Sequence, residues 1–161
     1  MITALPGPTD WIDTALECAT RRERAVLALV TGERGSTPRD TGSWILLTKN
    51  TELGTIGGGE LERTLIEAGR AMLDGNGAWS RAPMQCALGP DMRQCCGGVV
   101  QVLLEPVDAD ALDWLSKAKQ QLASEGYIRI AFDKAAREQR PLIITGERAE
   151  DHAAPDEIML S

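Results

Sequence analysis

Runs of apolar residues in this chain switch between a strand-like and a helix-like rhythm. Asp10 is placed to cap a helix whose Trp11, Ile12, Ala15, Leu16 and Ala19 share one face, with Arg21, Arg22 and Arg24 expected at its negative end. Ala25–Val30 is unbroken apolar sequence and predicts a buried strand. A polar loop, Thr31–Gly42, precedes a second strand, Ser43–Thr48, and a short third one, Leu53–Ile56. Gly57, Gly58 and Gly59 then open a helix with Leu61, Leu65, Ala68 and Met72 on its stripe, ended by Asp74-Gly75-Asn76-Gly77. Trp79–Leu88 reads ambiguously, as an edge strand containing Pro83. Val99–Leu104 predicts another buried strand. Asp108 or Asp110 caps a helix through Leu122, with Leu112, Leu115, Ala118 and Leu122 inward. Tyr127–Phe132 alternates as a half-exposed strand, Lys134–Arg140 is a charged loop, and Leu142–Thr145 is a final strand. From Gly146 onward the chain is acidic and weakly patterned, and fraying is expected there.

Helices and strands are interspersed without strict alternation. The expected class is α/β in the broad α+β sense: a single domain with a mixed β-sheet flanked by about three helices. Residues 1–9 are a loose lead-in, 10–146 the domain and 147–161 an acidic tail. A length of 161 residues suits one core. The net charge of −7 argues against a nucleic-acid or anionic-membrane surface, which needs basic residues over a wide face. No apolar run is long enough to span a bilayer, and Met1–Pro6 carries no signal-peptide pattern, so a cytoplasmic location is expected.

That location favours reduced thiols. The four cysteines lack zinc-site spacing, and the one histidine, His152, lies near the tail. Cys18 and Cys86 read as small packed thiols. Gln94-Cys95-Cys96-Gly97-Gly98 is different, because two adjacent thiols sit on a turn that leads into a buried strand. Alternation exposes one of them, and Cys95 is the choice; the alternative buries both as small apolar groups. Arg93 favours a thiolate, which is a soft metal ligand, and Gln94 offers an amide that donates and accepts. The strand–triple glycine–helix stretch Gly54–Glu62 is a physical recipe for holding an anion on unpaired N–H groups. Glu60 and Glu62 oppose a fully charged phosphate there, so an uncharged donor–acceptor heterocycle fits better. A tight turn needing glycine for geometry alone fits equally well. These two stretches are expected to form one ligand site, with Gly35-Ser36-Thr37-Pro38-Arg39 as its third wall.

Together the motifs carry a resemblance. Gly35–Arg39, Gly54–Glu62, Leu88-Gly89-Pro90 with Gln94–Gly98, and Glu105-Pro106, in that order and spacing, resemble the N-terminal domain of the XdhC/CoxI family of xanthine dehydrogenase accessory proteins. The resemblance implies a chaperone rather than a turnover enzyme, with no catalytic residue. It implies a protein that binds the molybdenum cofactor (molybdopterin), helps its sulfuration, and inserts it into a xanthine dehydrogenase-type molybdoenzyme. A cysteine desulfurase and a second copy of the chain are implied partners. The family's motif cysteine is linked to cofactor binding, which carries over to Cys95 as the metal ligand with Gln94 beside it; Cys96, Gly97, Gly57, Gly58, Gly59, Glu60, Ser36 and Arg39, from the same stretch and the two glycine-rich loops, complete the expected cofactor-binding set. Longer members of the family continue into a Rossmann-type domain, and no glycine fingerprint follows residue 106 here. The competing expectation is a thiol-dependent sulfur-transfer or redox protein that uses Cys95 and Cys96 without a nearby histidine base.

Overall fold

A computed structural model describes residues 6–34, 41–89, 98–138, 140–143 and 157–161. Strand β1 (Ala25–Arg34) is the centre of the main sheet. It pairs with β2 (Trp44–Thr48) on one side and β5 (Val99–Val107) on the other, while β3 (Glu52–Thr55) and β4 (Ala82–Ala87) form the edges. The order is β3-β2-β1-β5-β4, and every pairing among the described residues is antiparallel. The α+β domain with three helices is as the sequence implied, with its sheet sharpened to an antiparallel one.

The unbroken apolar run in β1 has a direct cause, which is that both of its faces are covered. Leu27 and Leu29 join Trp44, Leu46 and Leu103 in a core beneath α1 (Trp11–Thr20) and α3 (Leu112–Glu125). Val26, Ala28 and Val30 join Ile45, Leu47, Val102 and Leu104 in a second core beneath α2 (Gly59–Leu73). The period of two along each strand sorts its residues between the cores. Helix α2 sits very close to the sheet at Gly69, where a Cβ would lie 2.4 Å from Leu47 Cδ1. A second sheet, β7 (Leu142–Ile143), β6 (Ile128–Ala131) and β8 (Glu157–Leu160), closes the first core with Ile128, Ile130, Phe132, Ile158 and Leu160.

Several expectations are corrected. The last described residues are not frayed: β8 pairs with β6 from Ile128↔Leu160 to Ala131↔Glu157. The loop predicted from Thr31 starts later, because β1 runs on to Arg34 past a bulge between Val30 and Gly32. Helix α1 ends at Thr20, so Arg21, Arg22 and Arg24 follow it rather than fill its last turn. Asp10 stands at the N-cap but makes no side-chain cap; its carboxylate accepts the Gly7 N–H at 2.7 Å. Leu112 is exposed and Trp114 fills the inward position, since the chain enters α3 through a 3-10 turn at Ala109–Ala111 that rotates the stripe.

One buried ion pair ties the two sheets. Arg81, fully buried, donates from Nε and Nη2 to the Glu105 carboxylate at 2.6 and 3.1 Å. Its Nη1 donates to the carbonyls of Asp133 and Ala136 beyond β6. Burial pushes the Glu105 carboxyl up to about 7 against the opposing pull of Arg81 and Arg140. A folded-state value above the unfolded one means that this group's contribution to stability declines as pH rises from the ordinary carboxylate range towards 7. Arg81→Met alone should cost about 3–5 kcal/mol in urea unfolding, by stranding the carboxylate. Arg81→Met with Glu105→Leu should recover most of that loss and remove this part of the pH slope.

Candidate functional site

The glycine turn follows from register. Thr55, the last residue of β3, pairs with Trp44, which pairs with Leu29 of β1. Gly54, at φ +82°, allows this, since a Cβ there would lie 2.5 Å from the Trp44 carbonyl oxygen. The chain then turns through Gly57, Gly58 and Gly59 at φ of 103°, 75° and 73°. Three successive positive φ values are open only to glycine without strain. Ile56 anchors the turn in the second core beside Leu61 and Leu88.

The expected anion nest is already filled from within. Glu62 Oε2 accepts from Thr55 Oγ1 at 2.7 Å, from the Ile56 N–H at 2.9 Å and from the Gly58 N–H at 2.8 Å. The Gly57 N–H donates to Thr55 Oγ1 at 2.9 Å. Burial works against the Glu62 charge, but the Thr55 hydroxyl and the N–H groups of Gly58, Ile56 and Gly57 outweigh it and hold the carboxyl below its usual range. This reach-back carboxylate is a relative of the capping box, with its acid one residue later. Sequence reading took Glu62 as a charge that opposes phosphate and missed this role; the signal was an acid four residues beyond Gly58 and seven beyond Thr55. Glu60 pairs with Arg63, which also reaches Glu67 at 3.3 Å.

The flanks of all three motifs leave one end of the sheet. Arg34 pairs with Val99, and Val99 with Ala87. The Leu88 N–H donates to the Gly98 carbonyl at 2.7 Å and closes the neck of the β4–β5 connection. The Gly42 N–H donates to the Val30 carbonyl at 2.8 Å where the chain returns towards β2. The glycine turn lies at the level of Leu29, five residues short of Arg34, or roughly 15 Å along the strand. Of the expected site residues, Gly57, Gly58, Gly59 and Glu60 are at this end. Ser36, Arg39, Gln94, Cys95, Cys96 and Gly97 lie outside the described residues. Cys18 and Cys86 are buried, and burial raises both thiols above their ordinary value, as expected for packed cysteines. Among the described residues no cluster of His, Cys, Asp and Glu is grouped to hold a metal, and no helix is long and apolar enough to cross a membrane. A cleft of about 460 Å³ lined by Glu23, Arg24, Lys49 and Asp74 opens at the other end of α2, about 22 Å from the turn.

The folded-state carboxyl of Glu62 lies below its unfolded value, so its contribution to stability is present above the carboxylate range and lost as pH falls through it. Glu62→Gln should therefore cost about 1–2 kcal/mol at neutral pH in urea unfolding. The gap to wild type should narrow as pH falls below the ordinary carboxylate range. Gly58→Ala should cost about 1–3 kcal/mol by the same measurement, although no atom lies within 4 Å of the added methyl, because φ 75°, ψ −167° is a glycine conformation.

The model of the XdhC and CoxI family matches residues 18–80, a span that holds the Gly35–Arg39 and Gly54–Glu62 stretches and stops before Gln94–Gly98. Among solved structures, a crystal structure of a xanthine dehydrogenase from Bacillus halodurans superposes with a TM-score of 0.71 at 18% identity. That alignment covers 96% of this chain and 52% of the other, so the chain spans about half the length of that protein. At this identity the likeness is one of fold. No curated protein matches the sequence. The resemblance to the XdhC and CoxI family read from the motifs is thus borne out by the family model over residues 18–80.

Proposed function

We propose that this chain is an accessory protein in the maturation of a xanthine dehydrogenase-type molybdoenzyme, and that it holds the molybdenum cofactor before delivery. The family match over residues 18–80 carries this reading. The shared sheet end from which the flanks of the three motifs leave supports it. In this reading Cys95 is the thiolate ligand of the metal, with Gln94, Cys96 and Gly97 beside it. A thiolate suits a soft metal centre, and the Gln94 amide suits the donor–acceptor edge of a pterin. Glu62 has taken the N–H groups of Ile56 and Gly58, so the cofactor's phosphate falls to other residues, of which Ser36 and Arg39 have the right chemistry. The Gly57–Glu60 turn then meets an uncharged part of the ligand.

The protein acts in this reading as a carrier in the cytoplasm, not as a turnover enzyme. Sulfuration of the cofactor is supplied by a cysteine desulfurase docking on the carrier, and a homodimer is the proposed assembly. Cys95→Ser should lower retention of molybdenum and molybdopterin after incubation with a cofactor source, with the unfolding midpoint unchanged. Metal analysis and pterin fluorescence on the repurified protein read this out. Equal retention by a folded variant would count against the proposal.

A further inference from the structure

The glycine turn is held by hydrogen bonds from within its own chain. One carboxylate oxygen collects the Thr55 hydroxyl and the N–H groups of Ile56 and Gly58. Three glycines in left-handed conformations have no steric reason of their own to stay in them, and Gly58 has open space around it. Backbone this permissive loses much entropy on ordering. Core packing holds Ile56, and one side-chain oxygen, Glu62 Oε2, accepts hydrogen bonds from Thr55, Ile56 and Gly58 together. Helix α2 fixes Glu62 in turn, because Leu61 and Leu65 on either side of it are buried in the second core.

We propose that Glu62 is a positioning residue for the cofactor site, which locks the Gly57–Gly59 wall in its binding shape and occupies the donors that a free anion would otherwise take. This rests on the reading above that the turn is a wall of that site. A ligand therefore meets a preformed surface and does not bear the cost of ordering it. Outer-shell residues that orient metal ligands change affinity by about 10- to 100-fold when removed, and a residue that orients a wall of the site is expected to act at the lower end of that range.

Chemical rescue tests this. Glu62→Ala vacates the hydrogen-bond acceptor and leaves a space the size of a small carboxylate. Molybdopterin retention in the variant should fall about tenfold, and added formate should restore it towards the wild-type level. In parallel, formate should shift the amide signals of Ile56 and Gly58 in Glu62→Ala and leave them still in wild type. A wall that merely filled space would gain nothing from formate. Undiminished retention in folded Glu62→Ala would overturn the proposal. So would formate that occupies the vacated N–H groups without restoring retention. If Glu62→Ala does not fold, Glu62→Gln keeps the shape and one acceptor and should lose less; retention equal to wild type would again overturn it. Cys95→Ser run alongside separates the two claims. Loss in Cys95→Ser without loss at Glu62 removes only this inference, whereas retention unaffected in both removes the cofactor reading itself.

Discussion

The β1 ladder is the constraint on which everything else depends. A strand paired on both edges and covered on both faces has one register that satisfies its backbone and its side chains together. Pairing with β2 and β5 fixes which strand ends lie side by side. That in turn decides that β3 releases its glycine turn at the same sheet end as the β1–β2 and β4–β5 connections. Slipping β1 by one residue would exchange Leu27 and Leu29 for Val26 and Ala28 between the two cores and would misalign all three motif flanks. The shared sheet end of the motif flanks is in this sense a consequence of core packing.

Two carboxylates then do opposite work. Glu105 is buried opposite Arg81, and its charge is opposed by burial; the pair joins the base of the β4–β5 hairpin to the chain beyond β6. Glu62 is only partly buried and wrapped in donors, so its charge is favoured. The first is a tie with a desolvation penalty that links residues of the two sheets. The second stabilises a backbone conformation that glycine alone would not keep.

Much of this was legible in the sequence. Continuous apolar runs marked β1, β2 and β5, and four-three spacing marked α2, because burial on two faces or on one stripe leaves those signatures. Pro83 correctly suggested an edge strand. The last residues of the tail, Glu157–Leu160, were misread because β8 is four residues long and its partner, β6, lies some thirty residues earlier in the chain, so no local pattern announces the pairing. Leu112 was misplaced because a 3-10 turn changes helical phase without changing composition. The glycines were read as a ligand wall or a tight turn, and the structure shows the turn. The part played by Glu62 was not read, since a reach-back hydrogen bond depends on a rotamer that sequence spacing permits but does not dictate.

The central claim is that the sheet end carrying the glycine turn receives the molybdenum cofactor. The most direct measurement is a titration of purified molybdopterin into isotope-labelled protein, followed by backbone amide signals. The account predicts saturable shifts at Gly57, Gly58, Gly59 and Glu60 and at the motif flanks Gly42, Gly89 and Gly98. Shifts confined to the cleft at Glu23, Lys49 and Asp74, or no saturable shift anywhere, would contradict it.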